Sequence, residues 1–179
     1  MATQKPFESA LAILVPEAET LVERFRLQHD PSAAAGIPAH ITVLYPFKPP
    51  EEITAEIIQT LEKLFSKIAR LNFSLIEWRR LRRVLYLAPV PDEPFRQMTE
   101  AVHERFPETP PYGGEFADII PHLTVAQNDD PTRLQEIADE FDRAATEALP
   151  IHASLSEIVL LDNVTGRWRI RHRFALSEA

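Results

Sequence analysis

Two short His-x-Thr motifs hold the residues of this chain that are best suited to chemistry. His40-Ile41-Thr42 recurs as His122-Leu123-Thr124, each copy is followed by Val, and each His has a Pro one or two residues before it. Imidazole titrates near neutral pH, so one His of such a pair can take up a proton while the other supplies one. The Thr hydroxyls can donate hydrogen bonds to an anion between the imidazoles. The repeat therefore predicts a general acid–base site.

The strand context of the motifs indicates how these four side chains are presented. A single His-x-Thr triplet arises easily by chance and is most simply a strand in which both residues satisfy local hydrogen bonds. Two copies in matching apolar runs favour a shared site instead. Residues two apart in a strand project to the same face, so each His and its Thr lie on one side. The residues between and after them, Ile41, Val43, Leu123 and Val125, are expected to point into a core.

The elements that must position the motifs follow the same order twice. The first series consists of a strand at 10–15, a helix near 21–25, a small-residue loop at 32–39, the first motif strand, a long amphipathic helix over 53–68 and a strand at 73–78. The second series consists of a strand at 84–87, a helix over 95–106, the second motif strand, a helix capped by Asp130, and a terminal hairpin of 151–161 with 168–174. We expect one domain, 1–179, with pseudo-repeat halves of about 1–80 and 81–179. The predicted class is α+β, a bilobal fold with two antiparallel sheets forming a central cleft flanked by helices.

The amino-acid composition restricts the kinds of protein that this chain can be. The 179 residues are 45% hydrophobic and 26% charged, which is ordinary for a globular domain. The chain has no Cys, which excludes disulfides and thiolate sites and fits a reducing compartment. No run is long enough for a signal peptide core or a membrane span, so we expect a cytoplasmic protein. The net charge of -8 argues against broad, non-specific nucleic-acid binding.

The sequence around both motifs resembles a known family. Residues 38–47, PAHITVLYPF, and 121–126, PHLTVA, are similar to the paired signature motifs of the 2H phosphoesterase superfamily, which includes proteins named 2'-5' RNA ligase and RNA 2',3'-cyclic phosphodiesterase. The order of elements extends the resemblance over nearly the whole chain. It implies a bilobal α+β fold, a site of two His and two Thr or Ser that uses no metal or cofactor, and reactions at phosphodiesters.

The same resemblance implies a role for each motif residue. His122 is expected to act as general base on the attacking oxygen, His40 as general acid on the leaving oxygen, and Thr42 and Thr124 as phosphate-binding groups. The implied activity is the opening of 2',3'-cyclic phosphates on RNA 3' ends or small cyclic nucleotides. Ligation of RNA through 2'-5' bonds is a further activity that the resemblance leaves open. We expect a monomer with no membrane partner.

Aromatic and cationic residues near the motifs are candidates to hold the nucleoside. Unstacked bases are commonly held against aromatic rings or guanidinium planes. Tyr45, Tyr112, Trp168 and Arg169 are the candidates of these types. Arg169 belongs to an alternating series with one cationic face, formed by Arg167, Arg169, Arg171 and Arg173. That face suits either a charged edge strand, protected from aggregation, or a wall that attracts a phosphate ester.

Two other kinds of protein remain compatible with the motifs. A metal hydrolase would use both His residues with a carboxylate such as Asp118, although no His-x-x-x-His spacing is present and hydroxyls are poor zinc ligands. A binding module would hold a nucleotide or phosphate ester in the same cleft without turnover. Turnover of a cyclic phosphate in the presence of EDTA would separate these possibilities.

Overall fold

The computed structural model describes residues 7–115 and 118–178. Within these ranges the chain forms eight β-strands, five α-helices and three short 3-10 turns. The strands are β1 (Ser9–Leu14), β2 (His40–Leu44), β3 (Leu71–Leu81), β4 (Val84–Val90), β5 (Leu123–Gln127), β6 (Ile151–Leu155), β7 (Glu157–Asp162) and β8 (Arg169–Ala175). The helices are α1 (Glu19–His29), α2 (Pro31–Ala34), α3 (Ala55–Phe65), α4 (Glu93–Arg105) and α5 (Pro131–Ala148). The 3-10 turns are Pro16–Ala18, Pro50–Glu52 and Pro111–Gly114.

Side-chain caps start three of these helices, α2, α3 and α5, and the cap of α5 is at the position that the sequence indicates. The Asp130 carboxylate accepts a hydrogen bond from the Thr132 amide at 2.9 Å, and Pro131 occupies the first helical position of α5. Asp30 caps α2 in the same way through the Ser32 amide at 2.9 Å. The predicted cap of α5 is thus confirmed, while α2 occupies the start of the segment for which the sequence predicts a loop.

The strands form one sheet rather than two. Their order is β6-β3-β4-β5-β2-β1-β7-β8, and every neighbouring pair is antiparallel. The α+β class is confirmed, but the expected pair of separate sheets is wrong because the motif strands β2 and β5 pair at Ile41 and Leu123. This pairing joins what would otherwise be two exposed sheet edges. The sheet curls, since Ala69 and Ser177, next to β3 and β8, form a bridge.

The two halves of the sheet do not correspond to the two halves of the chain. β3 pairs with β4 and β6, whereas β7 pairs with β1 and β8. Each half of the sheet therefore contains strands from both predicted pseudo-repeats. The expected terminal hairpin is confirmed between β7 and β8. Its predicted first strand, 151–161, is too long, because this segment is divided at Ser156 into β6 and β7, which lie in opposite halves of the sheet.

The main hydrophobic core lies on one face of the sheet, which we call the covered face. A smaller buried cluster that includes Ala12, the partner of Thr42, lies on the other face. Ile41 and Leu123 point to this face and are fully buried, as the strand alternation predicts. Helices α1 and α5 meet there through an edge-to-face contact of Phe25 and Phe141, with ring centroids 5.1 Å apart. The opposite face, which we call the open face, carries the His and Thr side chains of both motifs. None of the helices that the structure describes is both long and apolar enough to cross a membrane.

Candidate active site

The pairing of β2 with β5 brings the two motifs together. Ile41 lies opposite Leu123 in an antiparallel register. One residue further in each direction, this register sets His40 opposite Thr124 and His122 opposite Thr42. Directly opposite residues have Cβ atoms about 5 Å apart, and diagonal neighbours about 7 to 8 Å. The four predicted side chains therefore occupy one small square on the open face.

Both imidazoles are oriented by the same local hydrogen bond. The Nδ1 atom of His40 lies 2.8 Å from the carbonyl oxygen of Pro38, and that of His122 lies 2.6 Å from the carbonyl of Ile120. A carbonyl oxygen can only accept, so Nδ1 carries the hydrogen in both rings. The Nε2 atom of each neutral ring is then left with its lone pair available on the open face.

Burial keeps both imidazoles neutral near physiological pH. It lowers the pKa of His40 to about 4, against a weaker opposing effect of the Pro38 carbonyl. The charges of Arg26 and His122 lower this pKa further, and the Asp30 carboxylate raises it. Burial also lowers the pKa of His122, while its bond to the Ile120 carbonyl and the charge of Asp30 act in the opposite direction. In the absence of a ligand, both rings are therefore proton acceptors.

A β-bulge follows the Thr of the first motif. Thr42 and Leu44 pair with consecutive residues of β1, so Val43 is an extra residue in β2. Val43 and Leu44 are both buried, and the alternation of faces shifts by one position. Tyr45 therefore returns to the open face, although uninterrupted alternation from His40 would place it on the covered face.

The second motif has an equivalent bulge. Thr124 and Ala126 pair with consecutive residues of β4, which makes Val125 the extra residue. Gln127 then takes the position on the open face that Tyr45 takes in β2. The two motif strands thus share the same local irregularity as well as the same sequence pattern.

Two tyrosines flank His122. The ring of Tyr86, on β4, meets the imidazole edge-to-face with centroids 5.6 Å apart, and the Tyr112 ring is stacked at 6.3 Å with an interplanar angle of 21°. Tyr112 has a left-handed backbone with φ of 52°, and its amide donates to the Tyr45 carbonyl at 2.7 Å. Burial raises the pKa of Tyr112 to about 12. Sequence reasoning missed Tyr86 because only the β4–β5 register places it opposite Thr124.

Tyr45 and Trp168 lie together on the other side of the motifs. Their ring centroids are 6.2 Å apart with an interplanar angle of 67°. The Tyr45 hydroxyl donates to Glu8 at 2.9 Å, and burial, with a smaller contribution from Glu8, raises its pKa to about 12. The Trp168 amide donates to the Ala35 carbonyl at 2.9 Å. Three predicted aromatic residues, Tyr45, Tyr112 and Trp168, are thus placed around the His and Thr groups.

The arginines near the C-terminus do not share one face. β8 contains an extra residue at Arg171 relative to β7, which inverts the alternation. Arg169 consequently lies opposite Asp162, and its Nε donates to the Asp162 carboxylate at 3.1 Å. Arg171 donates to the carbonyls of Pro50 and Ile53 at 2.7 and 3.0 Å. The structure therefore places Arg169 away from the His and Thr groups, which corrects its expected role at the site.

A buried ion pair lies close to the two imidazoles. Arg26 donates through Nε and Nη2 to one Asp30 oxygen at 3.1 and 3.0 Å, and the Ser32 hydroxyl donates to the other at 2.8 Å. Both charged side chains are at most 2% exposed. This network fixes the junction of α1 and α2, from which residues 35–39 lead to His40. No sequence signal reveals it, because the pair spans the end of one helix and the cap of the next.

The described residues form no metal-binding group at this site. Across residues 7–115 and 118–178, no three His, Asp or Glu side chains are arranged to hold a metal ion together. The alternative that combined Asp118 with both motif His residues therefore finds no such grouping in the part of the chain that the structure describes.

Comparisons with known proteins identify a family and a fold for this chain. The family model described as the 2'-5' RNA ligase superfamily matches residues 14–167. A Bacillus licheniformis protein named "Putative phosphoesterase" is 24% identical over 169 residues, covering 88% of this chain and 91% of that protein. The crystal structure of E. coli LigT complexed with 3'-AMP is 18% identical and matches 97% of this chain and all of that one with a TM-score of 0.60. The crystal structure of TT0787 of Thermus thermophilus is 17% identical and matches 96% of this chain and 98% of that one with a TM-score of 0.58. The structural likenesses show the fold, and the family match over most of the chain shows that this protein belongs to the 2'-5' RNA ligase superfamily, within the 2H phosphoesterases.

Proposed function

We propose that this protein is a metal-independent phosphodiesterase that opens 2',3'-cyclic phosphates on RNA 3' ends or small nucleotides. The observation that carries the proposal is the β2–β5 register, which sets His40 opposite Thr124 and His122 opposite Thr42 on one face. The two imidazoles can transfer protons, and the two Thr hydroxyls are neutral hydrogen-bond donors. Together they suit a phosphodiester group, which carries a single negative charge. Carboxylates would be less suitable there, because a nearby anion raises their pKa and they repel the substrate.

Substrate binding favours uptake of the proton that the general acid needs. Burial leaves both imidazoles neutral, and a bound phosphodiester anion raises their pKa by direct charge attraction. One proton is therefore taken up from solvent with the substrate. We assign it to Nε2 of His40, next to the ribose oxygen that leaves, and keep Nε2 of His122 as the base.

The reaction then balances within the site. A water oxygen forms a bond to phosphorus while His122 takes one of the water protons, and the bond from phosphorus to one ribose oxygen breaks while His40 protonates that oxygen. The product is a 2'- or 3'-phosphomonoester, and the two rings have exchanged protonation states. Proton exchange with solvent then returns both imidazoles to their starting protonation states. A ribose 5'-hydroxyl in place of water would attack the same phosphorus while the bond from phosphorus to the 3'-oxygen breaks and that oxygen is protonated, which leaves a 2'-5' bond.

The other open-face residues suit the remaining parts of such a substrate. The hydroxyls of Thr42 and Thr124 can each donate to a non-bridging phosphoryl oxygen, an interaction with a charged partner worth about 1.5 to 3 kcal/mol. Tyr45, Tyr112 and Trp168 offer ring faces or edges to the terminal nucleoside. Structures of E. coli LigT complexed with 3'-AMP and with phosphate have the same fold, which supports an anion site of this kind.

Hydrolysis of a 2',3'-cyclic nucleotide by purified variants in the presence of EDTA tests the proposal. Replacing His40 or His122 by Ala should lower kcat by about 10²- to 10⁴-fold, the usual contribution of one acid–base group. Replacing Thr42 or Thr124 by Val should lower it by about tenfold or more. His152→Gln is the matched control, since this imidazole is exposed on β6. An unchanged rate in His40→Ala would overturn the mechanism, and binding without product would identify a binding module instead.

A further inference from the structure

A second, polar pocket adjoins the catalytic face. It has a volume of about 460 Å³ and lies between the C-terminal end of α1 with α2 and the end of β5 with the β3–β4 turn. Its lining includes Gln127 and Asp30. Gln127 is the first residue after Thr124 to return to the open face of β5, and the Asp30 carboxylate lies near enough to influence both catalytic imidazoles. Through Gln127 and Asp30, the pocket therefore lies next to the proposed phosphate site.

The lining of this pocket combines amides with a short apolar wall. Gln28, Gln127 and Asn128 contribute amide groups, and Leu27, which is 58% exposed, contributes apolar surface with Pro31. Among the residues that the structure describes, the side chains of Gln28 and Gln127 make no hydrogen bond within the protein. An amide can donate and accept at once, which matches the edge of a nucleobase. A volume in this range suits a small organic ligand.

A cation borders the same pocket. Arg83 donates to Asp129 at 2.9 Å, and the two side chains are 66% and 86% exposed. Exposed ion pairs of this type contribute little to stability, so an incoming phosphate can replace the carboxylate at small cost. The pocket thus offers a base-binding surface and a phosphate-binding group at its rim.

We propose that this pocket binds the second nucleotide of an oligonucleotide whose terminal nucleotide carries the cyclic phosphate. The inference rests on the proposed function and narrows its substrate from a free cyclic nucleotide to an RNA 3' end. Gln28 and Gln127 bind the edge of the second base, Leu27 and Pro31 cover its face, and Arg83 binds the phosphate that joins the two nucleotides.

The test compares two substrates in each variant. A dinucleotide that ends in a 2',3'-cyclic phosphate and the corresponding cyclic mononucleotide are hydrolysed by wild type, and we expect a higher kcat/KM for the dinucleotide. Gln28→Ala and Arg83→Gln should each lower the ratio of dinucleotide to mononucleotide kcat/KM by about three- to tenfold, as loss of one hydrogen bond or one charged contact predicts. Gln97→Ala, an exposed α4 amide bonded to Glu93, is the matched control and should leave the ratio unchanged.

The outcomes separate this inference from the proposed function. If wild type hydrolyses both substrates with equal kcat/KM, or if Gln28→Ala and Arg83→Gln leave the ratio unchanged, the second-nucleotide pocket is refuted while the phosphodiesterase stands. If wild type hydrolyses neither substrate, the proposed function itself fails. Binding of a 3'-phosphorylated dinucleotide to His40→Ala, measured by calorimetry, provides a readout that needs no turnover. There the Gln28→Ala change should weaken binding of the dinucleotide and not of the mononucleotide.

Discussion

Protonation of His40 should destabilise the fold in acid. Its pKa is about 4 in the folded protein and 6.5 in an unfolded chain. Because the unfolded chain binds the proton more readily, the free energy of unfolding falls as pH falls below about 6.5 and levels off below about 4. These two values give a loss of about 2 kcal/mol at about pH 5 and about 3 kcal/mol once the ring is fully charged. The effect is absent above neutral pH.

Urea unfolding of wild type and His40→Gln between about pH 5 and about pH 7.5 measures this contribution. Carboxylates also titrate in this range, but they are common to both proteins and cancel in the comparison. Wild type should lose about 2 kcal/mol more than His40→Gln at the acid end. His152→Gln, at an exposed imidazole on β6, is the control variant. Equal slopes for wild type and His40→Gln, or an NMR titration of His40 with a midpoint near about 6.5, would refute the reasoning.

Two stability predictions concern groups that support the site. Asp30→Asn leaves the buried Arg26 charge without its carboxylate and should lower the free energy of unfolding in urea by about 3 to 5 kcal/mol. Asp129→Asn, in an exposed ion pair, is the control and should change it by less than about 1 kcal/mol. A small cost for Asp30→Asn would show that solvent reaches the Arg26–Asp30 pair. Thr99 donates through Oγ1 to the carbonyl of the bulge residue Val43 at 2.7 Å, so Thr99→Val should cost about 1 to 3 kcal/mol by the same measurement. An unchanged midpoint in Thr99→Val would mean that this carbonyl finds another donor.

The placement of the motif side chains could be predicted from the sequence further than the placement of their neighbours. Alternation within a strand is a local property, so the sequence correctly predicts Ile41 and Leu123 in the core and the motif His and Thr side chains on the other face. Tyr45 could be named as a candidate, but its face could not be worked out, because that depends on the bulge at Val43. Nothing in the apolar run of β2 distinguishes a bulge from regular pairing.

Features that depend on long-range pairing were not accessible from the sequence. Tyr86 carries no motif and enters the site only through the register of β4 with β5. The expectation for Arg169 depends on a regular alternation that the irregularity at Arg171 inverts. The single sheet likewise follows from one contact between strands about eighty residues apart, which local patterning does not specify.

In both motifs the imidazole Nδ1 donates a hydrogen bond to the carbonyl oxygen two residues earlier. This symmetry affects whether the proposed site favours hydrolysis or ligation. These hydrogen bonds do not distinguish the acid from the base, since both rings present Nε2 in the same tautomer. Under the proposed function, the relative concentrations of water and ribose 5'-hydroxyl groups would therefore set whether hydrolysis or ligation predominates. An inhibitor that imitates the trigonal-bipyramidal phosphorus should consequently block both directions with one affinity.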